Sequence, residues 1–278
     1  MSAGGTHVVF PLPGGAVSTT VLFAARARLI SGIFPSAGNP PQLCANKPAA
    51  AFSMTRIIAN QGGAVHWPPL WYNTPKMKKI LYLHGFGSSG ASGTVDLLRR
   101  EFWERSALAN RATVVAPDIP LDPFEAMPML EELAYEEMPD LVIGTSMGGF
   151  YAQHLHGFTR ICVNPSFWLT KKYDILYVGK HKWLNRRKDG ETEVHVTKET
   201  IAHFQEMEAH QFDGVTDDDR TLCHGLFGDE DTLLAEQTRP VFEQHYPGMS
   251  HVFPGGHRMN DYIVTHTLLP YIRGLNII

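Results

Sequence analysis

From Lys78 onward the chain alternates short apolar runs with stretches of helical period. Lys78–Phe86 contains Ile80-Leu81-Tyr82-Leu83 and runs into His84-Gly85-Phe86-Gly87, the pattern of a buried strand entering a Gly-rich turn. Ser92 stands where it can cap the next helix, in which Val95, Leu98 and Phe102 recur at helical spacing. Ala112–Ile119 reads as a second strand, stopped by Pro117 and Pro120. Asp122-Pro123-Phe124-Glu125 has the form of a helix start, with an N-cap acid, Pro at the first helical position and Glu to close a capping box. Ala126, Leu130 and Leu133 supply that helix's buried stripe, and Pro128 falls in its first turns, where a missing donor costs least. Asp140–Thr145, Arg160–Asn164, Thr221–Phe227 and Ser250–Phe253 are four more strands, with helical patterns between them. Strands alternating with helices imply parallel pairing and right-handed crossovers. The expected fold class is therefore α/β: a mostly parallel sheet of about six strands with helices on both faces. Chemistry in such sheets collects at the carboxyl ends of the strands.

The first 76 residues break this pattern. They hold no Asp or Glu, only five Lys and Arg, and recurrent Pro, so that 77–278 carries all 28 acids against 19 of the 24 basic residues, a formal charge of −9. Such a stretch buries too little apolar surface to offset its ordering entropy. It reads as a disordered or non-native leader ahead of a domain over 77–278. An upstream start codon before Met77 is favoured over a cleaved targeting peptide or a structural extension. Across the whole chain the net charge of −4 gives no reason to expect a nucleic-acid partner. No apolar stretch approaches the roughly 20 residues of a membrane-spanning helix. Three cysteines are too few and too odd for a disulfide framework, and Cys162 and Cys223 sit in strand-like runs as buried thiols, so a reducing, cytoplasmic setting is expected.

Gly144-Thr145-Ser146-Met147-Gly148 matches G-x-S-x-G. The three fixed positions alone are a weak signal, but the apolar strand Leu141-Val142-Ile143 runs into them and Gly149-Phe150-Tyr151-Ala152 leaves as a helix. A turn this sharp forces the serine into strained backbone angles and brings its neighbours close, which is why both flanks are glycine. The hydroxyl is thereby raised at the positive end of a helix. A phosphate-binding turn would need G-x-G-x-x-G or Gly-Lys-Ser/Thr, and neither spacing is present.

Serine becomes a nucleophile only when a base takes its proton and an acid fixes the base's tautomer. His257 is the leading base, because it follows Gly255-Gly256 directly after the last strand; His251, inside that strand, is the weaker rival. Gly228-Asp229-Glu230-Asp231 ends the fifth strand with three carboxylates. Asp231 fits the register of the acid and Asp229 is the alternative, since a small change of loop path exchanges them. The developing oxyanion needs two donors, for which the backbone N–H groups of Met147 and Phe86 are the candidates. His84, just before the Gly turn, reads as a residue that orders this loop rather than as a base. No metal or cofactor is expected.

Taken together, LYLHGFGSSGAS, APDIP, PDLVIGTSMGGFYAQHL, VNPS, FGDEDTL and GGH resemble the small bacterial α/β-hydrolase esterases of the YqiA/YcfP type, over about residues 77 to 273. The resemblance implies a compact α/β-hydrolase lacking the first two strands of larger relatives. It further implies esterase activity on short acyl esters, with Ser146, His257 and one GDED carboxylate as the triad. The sequence departs from the family in its leader and in a long basic stretch between Trp168 and Thr197, within a lid-like insertion over about 166–215. That stretch brings Trp168, Tyr173, Tyr177 and Trp183 together with seven Lys and Arg. Acids at Asp174, Asp189, Glu191 and Glu193 offset them, so a solvated basic loop is favoured over a cation-lined acyl pocket. The expected partner is a small-molecule ester, with neither nucleic acid nor membrane. A thioesterase or acyltransferase would use the same residues, and a catalytically silent binding protein on this scaffold is the reading from another class.

Overall fold

A computed structural model of the chain describes residues 77–106, 111–171, 176–233 and 235–278. The leader, Tyr173 and Asp174 lie outside those residues, as do the readings made on them. Six strands form one sheet: β1 (Lys78–Leu83), β2 (Ala112–Val115), β3 (Leu141–Thr145), β4 (Arg160–Val163), β7 (Cys223–Gly228) and β8 (Ser250–Phe253). Their order is β2-β1-β3-β4-β7-β8, and every neighbouring pair is parallel. After β1 the chain steps outward to β2 and then returns across β1 to β3. The strand order therefore reverses between β1 and β3, where an open parallel sheet leaves a crevice above its carboxyl ends.

The strands are continuous apolar runs because both faces are covered. Alternate residues point to opposite sides: Leu81, Leu83, Val142, Cys162 and Phe227 to one core, and Ile80, Tyr82, Leu141, Ile143, Ile161, Val163 and Leu226 to the other. Helices α1 (Gly93–Arg99), α2 (Pro123–Glu137), α3 (Met147–His154), α4 (Lys198–Ala209), α5 (Ala235–His245) and α6 (Leu269–Gly274) pack over them. Phe150, Phe204 and Phe242 fill the first core, whereas Leu98 and Ile272 fill the second. Both starts proposed for α1 and α2 sit where expected, with different chemistry. Ser92 occupies the N-cap without a side-chain capping bond. Asp122 accepts from the Phe124 N–H, but its long-range partner is His203 at 2.8 Å, in place of the Glu125 box. The stripe on α2 runs through Ala126, Leu130 and Ala134, with Leu133 only partly buried.

At the amino end of β4, Arg160 is wholly buried. Its Nη2 donates to Asp219 Oδ2 at 2.7 Å and its Nη1 to the Gln153 carbonyl at 2.7 Å, while His156 Nδ1 lies 2.8 Å from the same carboxylate. Burial works to raise the Asp219 pKa, but the His156 hydrogen bond and the Arg160 charge outweigh it and hold the carboxyl well below the usual range. Nearby, Cys162 and Cys223 are buried free thiols with sulfurs 3.8 Å apart. Removing one member of a buried ion pair strands the other charge. Asp219→Ala is expected to lower the unfolding free energy by roughly 3–5 kcal/mol in urea titration. Asp217→Ala, on the exposed side of the same turn, should change it by less than about 0.5 kcal/mol.

Candidate active site

The site is built where β1, β3, β4, β7 and β8 end. Ser146 follows β3 directly and adopts φ 54° and ψ −117°, a strained left-handed conformation for a residue with a side chain. The turn is held from several sides. The Ser146 N–H donates to the Val163 carbonyl at 3.0 Å, and its own carbonyl accepts from the N–H groups of Gly149, Phe150 and Ser166. The glycine flanks have a measurable reason. A Cβ on Gly148 would stand 2.0 Å from the Leu83 carbonyl oxygen, and one on Gly144 would stand 2.1 Å from the Gly148 carbonyl oxygen. Helix α3 can start this close to β1 only without those side chains.

From the elbow a chain of hydrogen bonds crosses the sheet edge. Ser146 Oγ lies 3.0 Å from His257 Nε2, and His257 Nδ1 lies 2.8 Å from Asp231 Oδ2. The Asp231 side chain has no exposed surface, and its other oxygen accepts from the Leu233 N–H at 2.9 Å. A carboxylate so placed accepts from Nδ1–H, which leaves Nε2 as the acceptor for the serine proton. Asp229 does something else: its Oδ1 accepts from the Gly255 N–H at 3.0 Å, bracing the loop that carries His257. His251 is not brought to Ser146; it is exposed on β8 with its ring 4.9 Å from that of Tyr271.

Phe86 and Met147, the two proposed amide donors, are both at the site. Phe86 lines the cavity over Ser146 from the loop after β1. Met147 opens α3, whose first-turn N–H groups have no acceptor within the helix. His84 is the anchor of the Phe86 loop. Its Nδ1 lies 2.9 Å from the Gly85 carbonyl and its Nε2 accepts from the Ile119 N–H at 3.0 Å, a pairing that fits only the neutral ring. Burial, with help from the Arg187 charge, pushes the His84 pKa down to about 4 against the contribution of the Gly85 bond.

Two residues that the motif reading gave no role complete the arrangement. Asn164 directly follows β4, with φ 43°, and is buried. Its Nδ2 donates to the carbonyls of Gly256 and His257, and its Oδ1 accepts from the Gly228 N–H at 2.8 Å. One amide thus joins the base loop to the acid loop. Ser166, also buried, places its Oγ 3.0 Å from Ser146 Oγ. With Ser146 donating to His257, the remaining sense of that bond is Ser166 donating to the Ser146 oxygen. A small polar residue three positions after β4, following Asn-Pro, was the only trace of either role in the sequence.

The basic stretch differs from the solvated loop expected of it. It forms an antiparallel hairpin of β5 (Gly179–Lys182) and β6 (Glu193–Val196). The segment between those strands is bonded to the loop after β1. Leu184 N–H donates to the Gly87 carbonyl at 2.6 Å, Asn185 Nδ2 to Ser88 Oγ at 2.9 Å, and Ser89 Oγ to the Arg186 carbonyl at 2.8 Å. Further along, Lys188 N–H donates to Asp118 Oδ2 and Arg187 packs over the Trp183 ring at 4.3 Å. Tyr177, Lys180, His181 and Leu184 consequently wall a cavity of about 840 Å³ that has Ser146 and His257 at its base. Among the described residues no group of three or more His, Cys, Asp or Glu side chains is arranged to hold a metal ion, and no helix is long and apolar enough to cross a membrane.

A parallel sheet with a serine raised on a glycine-flanked bend after its third strand, and a histidine delivered after its last, defines the α/β-hydrolase fold. The same fold is seen in Est1E from Butyrivibrio proteoclasticus, at 16% identity and a TM-score of 0.52 over 74% of this chain and 90% of that one. Alpha/beta hydrolase domain-containing protein 10 from mouse aligns at 15% identity and a TM-score of 0.50 over 73% and 91% of the two chains. The chain belongs to the uncharacterised protein family UPF0227, whose model matches residues 79–222.

Because the unfolded chain protonates His84 near pH 6.5 and the folded chain only near 4, this residue's contribution to stability is complete above pH 6.5. It drains away as the pH falls toward 4. His154 and His224, also held near 4 chiefly by burial, add to the same slope. Urea midpoints measured from pH 7 to 4.5 are expected to fall less steeply in His84→Gln than in the native chain, by about one proton's worth of linkage.

Proposed function

We propose that the protein is a serine hydrolase of small carboxylic esters, short acyl chains included, acting through an acyl-enzyme on Ser146. The observation that carries this reading is the unbroken bond chain from buried Asp231 through His257 to a hydroxyl on a strained bend. The nucleophile and its base come from loops 111 residues apart in sequence. An arrangement that costs about 1–3 kcal/mol of backbone strain at Ser146 persists only where its surroundings over-determine it. The cavity's size is that of a small-molecule site.

In the first half-reaction Ser146 Oγ attacks the carbonyl carbon as His257 Nε2 takes the hydroxyl proton. Asp231 keeps the imidazole in the receiving tautomer and stabilises the imidazolium that forms. Negative charge on the carbonyl oxygen falls to the Met147 and Phe86 amides, each worth about 3–4 kcal/mol in the transition state. The carbon–oxygen bond to the alcohol then breaks, and the alcohol departs with the proton from His257. Water repeats the sequence on the acyl-enzyme, giving its proton to His257, and the acid leaves as Ser146 is reprotonated. Ser166 orients the attacking oxygen by its hydrogen bond, and Asn164 holds the base loop in register.

A fluorophosphonate probe is expected to label the native protein and not Ser146→Ala; no labelling, or equal labelling of both, would overturn the reading. Asp231→Asn is expected to lower kcat on 4-nitrophenyl butyrate by on the order of 10³-fold or more. Asp229→Asn, which keeps an acceptor for the Gly255 N–H, should lower it by less than about tenfold. The reverse ranking would exchange the two acids' roles.

A further inference from the structure

We infer that the ester taken by this site carries an anionic group, a carboxylate or phosphate, recognised by Lys182 and Arg258. The inference rests on the esterase reading and names the substrate class of that same site. The charged side chains lining the cavity are Lys180, Lys182 and Arg258 against Asp261, with Asp231 hidden behind His257. This excess of positive charge occurs in a domain whose formal charge over 77–278 is −9, so it does not follow from composition.

The cations also differ in what already holds them. Lys180 pairs with Glu193 across the hairpin at 3.6 Å. Lys182 stands in register opposite the same Glu193 without forming an ion pair with it, and among the described residues Arg258 forms none either. They reach the cavity from separate elements, Lys182 at the end of β5 and Arg258 directly after the catalytic histidine. Both line the same cavity, where an anion attracted to both would offset their like charge. Ser88 adds a donor, since its oxygen accepts from Asn185 Nδ2 and its own proton remains to be given. The rest of the wall suits the carbon skeleton: Tyr177 and Phe86 both pack against the His181 ring, at 4.2 and 5.3 Å between centroids. A neutral ester would use the aromatic wall alone.

The anion can lie on the acyl part or on the alcohol part, and two pairs of substrates separate these. The first compares the mono-4-nitrophenyl ester of adipic acid with 4-nitrophenyl hexanoate. The second compares the hexanoic ester of 4-hydroxybenzoate with that of its methyl ester. For one pair kcat/KM is expected to favour the anionic member by roughly tenfold at low salt. The preference should fall toward unity at about 0.5 M salt, where the screening length is on the order of 4 Å. It should collapse likewise in the double variant Lys182→Gln with Arg258→Gln, and not in Lys171→Gln, whose ammonium packs on the Trp168 ring. Cleavage of the neutral member as fast as the anionic one in both pairs overturns the inference alone. A preference that survives both salt and the double substitution does so too. Failure to cleave any of the four esters, with no fluorophosphonate labelling, overturns the esterase reading itself.

Discussion

The side-chain amide of Asn164 is the point on which the site's geometry depends. Nucleophile, base and acid come from three loops that no local rule brings together. The nucleophile is fixed to the sheet by its backbone bonds to Val163 at the end of β4 and to Ser166 just beyond it. The other two are tied to each other by the Glu230 N–H to Gly255 carbonyl bond and by Asp229, and to the end of β4 by the buried Asn164 amide, which accepts from the end of β7 and donates to the successive carbonyls of Gly256 and His257. A hydrogen-bond chain of three members tolerates displacements of only a few tenths of an ångström before its geometry fails. A rigid tie between the base loop and the strand that launches the acid is therefore a requirement of the arrangement. It also accounts for a non-glycine residue held at positive φ in the middle of the sheet edge.

Much of the fold was legible from residues alone because parallel strands covered on both faces write themselves as uninterrupted apolar runs. LVIGT and RICV fall into place this way, and the alternation within each run assigns its residues to the two cores. The elbow was legible for a steric reason, since only glycine fits within 2.1 Å of a carbonyl oxygen. The hairpin of β5 and β6 was not. GKHK and EVHV are short, with only Val196 buried, and the bonds that secure the hairpin run to the loop after β1 and to Asp118, partners far away in sequence that leave no signature in the hairpin itself. Ser166 and Asn164 were opaque for a related reason. Their importance lies in what the tertiary fold sets opposite them, whereas their own segment says only that a strand has ended. The GDED carboxylates illustrate the limit from the other side: sequence narrows them to a pair, and the hydrogen bond from Gly255 to Asp229 separates the two.

Charge is distributed between the two ends of β4 in different ways. At the amino end Arg160 and Asp219 are sealed from water and paired with each other, with the Gln153 carbonyl taking a further guanidinium donor. Such a cluster fixes the packing of the segment around Asp219 on the sheet and takes no part in the chemistry opposite. Toward the carboxyl end the cavity cations are exposed, and among the described residues only Lys180 of the three has an acidic partner, Glu193. Sealed and exposed charge thus lie at opposite ends of the strands of one sheet.

The manner in which the hairpin is fastened has a consequence for how such a protein diversifies. At Leu184, Arg186 and Lys188 the groups that grip the rest of the molecule are amide N–H and carbonyl, common to almost every residue type. Side chains at these positions can be exchanged without unfastening the wall they decorate. A lineage can retune what enters the cavity through single substitutions at Leu184, which lines it, while the machinery below stays untouched.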